Sequence, residues 1–189
     1  MKSQLIVALL AAHMPVWAAA GDASQFGPAL GKPMSDPSPA MEPAYIAADG
    51  RGLPDGSGDV ELGRELFARH CQACHGVNGM GATADALSGA EEPLDSPWAE
   101  KTIGSYWPYA PKLFDFVQRS KPMNAPGSFS SEQVYALTAY LLNLNGIVEL
   151  GMRLDRATLS RIKMPNRDGF VRCYPEPKPG DPAWDDCFP

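Results

Sequence analysis

The chain has 189 residues, 44% of them hydrophobic, and a formal net charge of −6 at pH 7. This length predicts one domain, or one domain with tails, because single domains usually contain about 100–200 residues. The acidic balance argues against nucleic acid as a partner, since neutralising phosphates needs clustered lysine and arginine. The 18 glycines and 19 prolines predict long irregular stretches. Beyond the N-terminus, no segment approaches the roughly 20 unbroken apolar residues of a membrane-spanning helix.

Residues 1–20 are typical of a cleavable secretory signal. Lys2 precedes an apolar run over residues 5–12, and three alanines end the segment. A basic start, an apolar stretch and small residues at the cut predict cleavage after Ala18 or Ala20. Export would place the protein in an oxidising compartment, which in a bacterium is the periplasm.

Residues 21–58 are rich in Pro, Gly, Ala and Asp and show no sustained helical or strand period, so we expect an extended arm. Regular structure is predicted from Asp59, a suitable N-cap for a first helix. Gly63 would let a second helix approach this helix closely. The apolar face beside that glycine is formed by Leu62, Leu66 and Phe67.

The second half of the chain contains the clearest helix. An aromatic patch spans residues 102–109, and residues 121–127 form a loop by composition. The helix is predicted to begin at Ser130, which fits a capping box with Gln133, and to end at residues 145–146, where a glycine suits the cap. Its apolar stripe consists of Val134, Leu137, Leu141 and Leu144.

The decisive motif is Cys-x-x-Cys-His at residues 71–75. Thiols at Cys71 and Cys74 can add to the two vinyl groups of one haem, and His75 is then placed to bind the iron from the proximal side. A zinc site would need two further ligands, and only His70 lies nearby. A redox-active Cys-x-x-Cys would require a βαβ context, which the sequence does not predict. We therefore expect one covalent haem c.

The two other cysteines, Cys173 and Cys187, form the natural second pair in an oxidising compartment. A disulfide between them would close a loop of about 15 residues, which contributes roughly 3 kcal/mol in the chain-entropy model. We predict that this bond clamps an irregular C-terminal extension. Free thiols are the alternative.

The distal iron ligand has several candidates. Met123 is preferred because it follows His75 by 48 residues on a proline-flanked loop before the last helix, where small c-type cytochromes place their ligand methionine. His70 is too close to His75 to reach the opposite haem face. Core packing is the alternative role for a methionine. The remaining candidates are Met34, Met41, Met80, Met152 and Met164.

Aromatic residues are expected to line the haem crevice, and Tyr106 or Trp107 could donate a hydrogen bond to a haem propionate. Ordinary core packing is an equally good role for each of them. The set is Tyr106, Trp107, Tyr109, Phe114 and Phe116.

Four longer sequence segments indicate a resemblance to a particular family. The chain resembles the cytochrome c subunit of the sulfite-type sulfur dehydrogenases of bacterial Sox sulfur oxidation, over roughly residues 48–170. The resemblance rests on the segments 52–58, GLPDGSG; 102–110, TIGSYWPYA; 134–145, VYALTAYLLNLN; and 164–170, MPNRDGF.

The resemblance implies an all-α, class I cytochrome c fold, in which N- and C-terminal helices pack around one covalent haem. The cytochrome c domain is expected over residues 59–148, with irregular extensions over 21–58 and 149–189. The family also implies a periplasmic molybdenum-cofactor subunit that oxidises sulfite or bound sulfur and passes single electrons to this haem. A soluble cytochrome c would accept them next, and the chain itself is expected to catalyse no reaction.

The chain departs from the family at the distal loop. The family places a methionine immediately before the loop proline, where this chain has Lys121, with Met123 just after. Lys121 is therefore the second candidate for the distal ligand, and it must lose its proton to bind iron. Two alternatives follow: a haem enzyme or sensor with an open or lysine-bound iron, of the thiosulfate-oxidising type, or a generic electron shuttle without a dedicated partner.

Overall fold

The computed structural model describes residues 45–171, all within one unit of the chain. The predicted signal, the arm up to residue 44 and the predicted disulfide between Cys173 and Cys187 lie outside the described residues. The elements in chain order are β1 (Ser57–Asp59), α1 (Val60–His70), α2 (Gln72–His75), a 3₁₀ turn (Val77–Gly79), α3 (Ile103–Tyr106), α4 (Ala110–Ser120), α5 (Ser131–Leu144), β2 (Arg153–Asp155) and α6 (Arg156–Leu159). The predicted all-α class is confirmed, with one small antiparallel sheet of β1 and β2 added to it.

Side-chain caps confirm the predicted starts of α1 and α5. The Asp59 carboxylate accepts a hydrogen bond from the Leu62 backbone N–H at 3.0 Å. At the start of α5, the Ser130 hydroxyl accepts from the Gln133 backbone N–H at 3.3 Å, and the Gln133 side-chain oxygen accepts from the Ser130 N–H at 2.9 Å. Each cap contributes about 1 kcal/mol, so these residues fix where α1 and α5 begin.

The packing of α1 against α5 forms the centre of the fold. A β-carbon built on Gly63 would lie 2.6 Å from the Ala136 carbonyl carbon and 2.7 Å from Tyr140 Cβ, so the predicted close approach is confirmed. The rings of Phe67 and Tyr140 meet beside it at 5.3 Å. Leu62, which we predicted on the packed face, is 36% exposed, because the helix turns a different stripe inward. That stripe consists of Val60, Gly63, Leu66 and Phe67.

Parts of both predicted extensions belong to the core. Ile46 and Leu53, from the arm that we predicted over residues 21–58, are 3% and 2% exposed, and Leu154 in β2 is fully buried. The core therefore extends beyond the predicted limits of 59–148. Isolated apolar residues among glycines and prolines have no periodicity that a sequence pattern could reveal.

A buried carboxylate attaches the N-terminal segment to α4. Asp115 accepts hydrogen bonds from the Ile46 backbone N–H at 3.1 Å, from Lys112 Nζ at 2.8 Å and from Arg119 Nη2 at 2.6 Å. Lys112 Nζ also donates to the Ile46 carbonyl at 2.8 Å. Two cations and a backbone donor compensate the burial of this carboxylate, which is only 4% exposed. The segment before β1 is thereby held on the domain.

The buried hydroxyl of Tyr135 is expected to make the folded state less stable at alkaline pH. Its hydroxyl donates to the Pro54 carbonyl at 2.8 Å, and burial raises the pKa of Tyr135 to about 12. An unfolded tyrosine loses its proton near pH 10, at about its ordinary pKa. The stabilisation from the neutral hydroxyl is therefore complete below about pH 10 and is lost as pH rises toward about 12.

We expect the Tyr135→Phe variant to be less stable than the wild type by about 1 kcal/mol at neutral pH, because the Pro54 carbonyl loses its donor. We also expect the variant to lose less stability than the wild type between about pH 9 and about pH 11. Denaturant unfolding at both pH values measures this, with the exposed Tyr45→Phe as the control. Equal alkaline losses in all three proteins would contradict the assignment.

Candidate haem site

One helical turn brings the three residues of the motif together. Cys71 follows the last residue of α1, and its carbonyl accepts from the backbone N–H groups of Cys74 and His75 at 3.1 and 2.9 Å. Residues three and four positions apart lie on the same face of a helix. The two thiols and the imidazole therefore face one side of α2, as two thioether bonds and one iron bond to a single haem require.

A backbone carbonyl sets the tautomer of His75. Nδ1 lies 2.9 Å from the carbonyl oxygen of Asp85, and a carbonyl can only accept, so Nδ1 carries the proton. In the neutral form of this tautomer, Nε2 has its lone pair available for a metal. This arrangement, a ligand imidazole whose other nitrogen donates to a protein oxygen, orients the ring and raises its basicity.

The loop after the motif is folded back onto it by backbone hydrogen bonds. Gly81 N–H donates to the His75 carbonyl at 2.8 Å, and Ala84 N–H donates to the Cys74 carbonyl at 2.8 Å. Gly76 begins the loop with a φ of +76°, a conformation that favours glycine. A β-carbon on Gly76 would also collide with the carbonyl of Gly81. These contacts place the Asp85 carbonyl beside the imidazole.

The two thiols differ in environment. Cys74 is exposed, whereas Cys71 is half-buried against the core. Burial raises the pKa of the Cys71 thiol to about 11, and the positive charge of Lys121 acts in the opposite direction. Both are free thiols, so both are available for thioether formation. Two thiols and an imidazole with a free Nε2 fit haem c.

The distal loop presents Lys121 and Met123 differently. Lys121 ends α4, is half-buried, and has its Nζ 5.1 Å from the centre of the Phe116 ring. Met123 is 82% exposed, two residues later in a turn in which Ala125 N–H donates to the Pro122 carbonyl at 3.0 Å. Lys121 is therefore the more buried of the two candidates, and its amine lies over the Phe116 ring.

The other candidates for the distal ligand lie in different surroundings. His70 packs edge-on against Phe129, with ring centres 5.3 Å apart. Met80 Sδ lies 3.9 Å from the Ser88 hydroxyl, and Met164 is a core residue with 1% exposure. Met152 is 40% exposed. The two earlier candidates, Met34 and Met41, lie outside the described residues.

The predicted aromatic lining divides into three groups. Phe114 is fully buried, and its ring centre lies 4.5 Å from that of Tyr135. It therefore has the alternative role of ordinary core packing. Trp107 and Phe116 pack on each other at 5.5 Å, and Phe116 remains 45% exposed, so this pair can face a cofactor. Two further members contact the C-terminal segment: Tyr106 meets Phe170 at 5.2 Å, and Tyr109 lies under the Arg167 guanidinium at 4.4 Å.

Sequence reasoning missed the role of Asn145, which we predicted only as part of a helix end. Its side-chain oxygen accepts from the Gly104 N–H at 3.0 Å, and its side-chain nitrogen donates to the carbonyls of Leu87 and Leu141 at 3.0 and 2.8 Å. One amide therefore joins the loop after the motif, α3 and α5. An asparagine before a glycine is typical of helix ends, which hid this second role.

Neither a metal-binding cluster nor a membrane-spanning helix is found among the described residues. Residues 45–171 contain no group of three His, Cys, Asp or Glu side chains that could hold a metal ion, as a zinc site would need. Within the same range, no helix has the length and apolar character needed to cross a membrane.

Comparisons with known proteins define the class and then the family. Residues 60–145 match the family model described as cytochrome c. The chain is also similar to a chain in the crystal structure of the sulfane dehydrogenase SoxCD from Paracoccus pantotrophus. The identity is 35%, the TM-score is 0.69, and the match covers 85% of this chain and 77% of that one.

The helical fold and the haem-binding motif define a c-type cytochrome of class I fold, an electron-transfer haem protein. The chain belongs to the c-type cytochromes of the Sox and sulfite dehydrogenase family. The resemblance proposed from the sequence is thereby confirmed.

Proposed function

We propose that this protein is the electron-transfer subunit of a periplasmic sulfur-oxidising dehydrogenase. The observation that carries the proposal is the helical turn of residues 71–75, in which two free thiols share a face with an imidazole whose Nε2 is available. Cys71 and Cys74 would form the two thioether bonds of a single haem c. His75 would be its proximal iron ligand.

The residues of the chain would fix the haem rather than act on a substrate. When bound, the haem supplies an iron that takes up and releases one electron. Thioether bonds from Cys71 and Cys74 would hold the macrocycle against α2, and the Asp85 carbonyl holds the imidazole in one orientation. The Trp107–Phe116 pair would offer an apolar surface to the macrocycle. An iron bound by a second protein ligand would leave no open position for substrate.

The similarity to a sulfane dehydrogenase supports the proposed partner. A molybdenum-cofactor subunit would oxidise sulfite or bound sulfur and pass single electrons to this haem, and a soluble cytochrome c would remove them. The secretory signal over residues 1–20 would direct the chain to the periplasm, where such a complex and the Cys173–Cys187 disulfide would form.

The test is to purify the tagged, exported chain from its native host and to measure haem, molybdenum and electron transfer in the same sample. We expect one covalent haem per chain, an equal amount of molybdenum, and haem reduction on addition of sulfite or a sulfane-sulfur compound. Covalent haem without molybdenum and without reduction by either compound would overturn the partner. Absence of covalent haem would overturn the whole proposal, and turnover of thiosulfate by the chain alone would favour the enzyme alternative.

A further inference from the structure

We propose that the side-chain amine of Lys121, and not the sulfur of Met123, is the distal ligand of the iron. This inference rests on the proposed function, because it assumes a haem attached at Cys71 and Cys74 with His75 as proximal ligand. It assigns to this chain an iron held between an imidazole and an amine.

The position of Lys121 supports this assignment. Its backbone N–H donates to the Val117 carbonyl at 3.0 Å, so the residue is fixed at the end of α4. Its Nζ lies 5.1 Å from the centre of the Phe116 ring, and its charge is close enough to Cys71 to act on that thiol. The amine therefore lies over the Phe116 ring of the aromatic pair, and its charge acts on the first haem-binding cysteine.

Sulfur donors are less well placed. The Met123 side chain is 82% exposed and lies within the turn that the hydrogen bond from Ala125 N–H to the Pro122 carbonyl closes. Met164 is enclosed in the core, and Met80 lies in the loop that immediately follows the motif, beside Ser88. Lys121 is the distal candidate whose donor atom lies 5.1 Å from the centre of the Phe116 ring, at the end of α4.

The amine of Lys121 is also free of a carboxylate partner among the described residues. The ion pairs of this region use other cations: Lys112 and Arg119 both pair with Asp115. Lys121 instead lies over an aromatic ring. Binding to iron requires only that the ammonium release its proton to solvent as the lone pair forms the bond.

An amine donor has a different effect on the iron from a thioether. The thioether of methionine is a soft ligand, and His/Met ligation raises the reduction potential of haem iron. A nitrogen donor favours the ferric state more strongly. We therefore expect a lower potential for this protein than for a Lys121→Met variant, with the haem attached in the same way.

The experiment compares the haem-loaded wild type with Lys121→Met and Met123→Leu variants. The ferric spectrum reports the ligand, because methionine-bound ferric haem has a weak absorption band in the red that lysine-bound haem lacks. We expect the band to be absent from the wild type and from Met123→Leu, and to appear in Lys121→Met together with a higher reduction potential. A Lys121→Ala variant, expected to bind added imidazole at the vacated position, provides a second test if Lys121→Met does not fold.

A red band in the wild type that disappears in Met123→Leu would overturn the assignment and restore methionine as the ligand. A wild-type spectrum that is unchanged in both Lys121 variants would also overturn it. Covalent haem is measured separately in every variant, from the mass of the denatured chain and the spectrum of its pyridine complex. Failure of haem attachment would therefore contradict the proposed function, whereas a wrong distal ligand would contradict only this inference.

Discussion

Replacing Gly63 with alanine is expected to lower the free energy of unfolding by about 3 kcal/mol, the upper end of the range for overpacked sites. The new methyl group would lie 2.6 Å from the Ala136 carbonyl carbon and 2.7 Å from Tyr140 Cβ. The carbonyl belongs to the backbone of α5, so a rotamer change cannot relieve the collision. The two helices would have to separate along the centre of the core.

Gly151→Ala is the matched control, because a β-carbon at that position meets no atom within 4 Å. Denaturant unfolding of the haem-loaded proteins measures the difference. We expect the midpoint to fall markedly for Gly63→Ala and to remain near the wild-type value for Gly151→Ala. Equal midpoints for the two variants would show that the helices do not approach as closely as described.

Separation of α1 from α5 would also disturb the haem site. Cys71 follows the last residue of α1, and Asn145 follows the last residue of α5. Through its side chain, Asn145 holds the loop that carries the Asp85 carbonyl by its bond to Leu87. The contact between α1 and α5 at Gly63 therefore stabilises the fold. It also sets the distance between the C-terminal ends of these two helices, which position Cys71 and the loop that carries the Asp85 carbonyl.

Features that depend on nearby residues could be predicted from the sequence. The Asp59 cap, the Ser130–Gln133 capping box and the helical turn over residues 71–75 are each formed within a few positions of the chain. In such cases the identities of the residues and their spacing determine the geometry. The close approach at Gly63 was also predictable, because a glycine on an apolar helical face has few other uses.

Features that depend on distant contacts could not be predicted in the same way. Ile46 is held by Asp115, 69 positions away, and neither residue lies in a repeating pattern. β1 and β2 are three residues each, too short to show an alternation. The group that orients His75 is a backbone carbonyl, which every residue possesses, so the identity of Asp85 gives no signal.

The distal loop illustrates a further limit. Chain position placed Met123 and Lys121 on the same loop and favoured the methionine, whose chemistry is the more usual. The side-chain directions differ, since Met123 is 82% exposed while Lys121 turns toward Phe116. The pattern of residues identified the loop that carries both candidates. It held no information on the packing that turns Lys121 toward Phe116 and leaves Met123 exposed.

Replacing His75 with alanine is expected to reduce the covalent haem content of the purified chain by at least about tenfold. Loss of a group that merely supports a metal ligand already costs about 10–100-fold in metal affinity, and His75 is proposed to be the ligand itself. Without it, the iron would lose its proximal bond, and the haem would not be held beside the two thiols while the thioether bonds form. Haem per chain is measured from the spectrum of the pyridine complex and from the mass of the denatured protein.

His70→Ala is the matched control for this experiment, because the two histidines lie only five positions apart. His70 is exposed in the last turn of α1 and contacts only the edge of Phe129 among the rings of the described residues, so its loss should leave the haem content unchanged. A further variant separates binding from folding: His75→Gly, grown with added imidazole, should regain part of the haem spectrum. Equal haem contents in His75→Ala and His70→Ala would contradict the proposed proximal ligand, because the imidazole held by Asp85 would then matter no more than the exposed imidazole of His70.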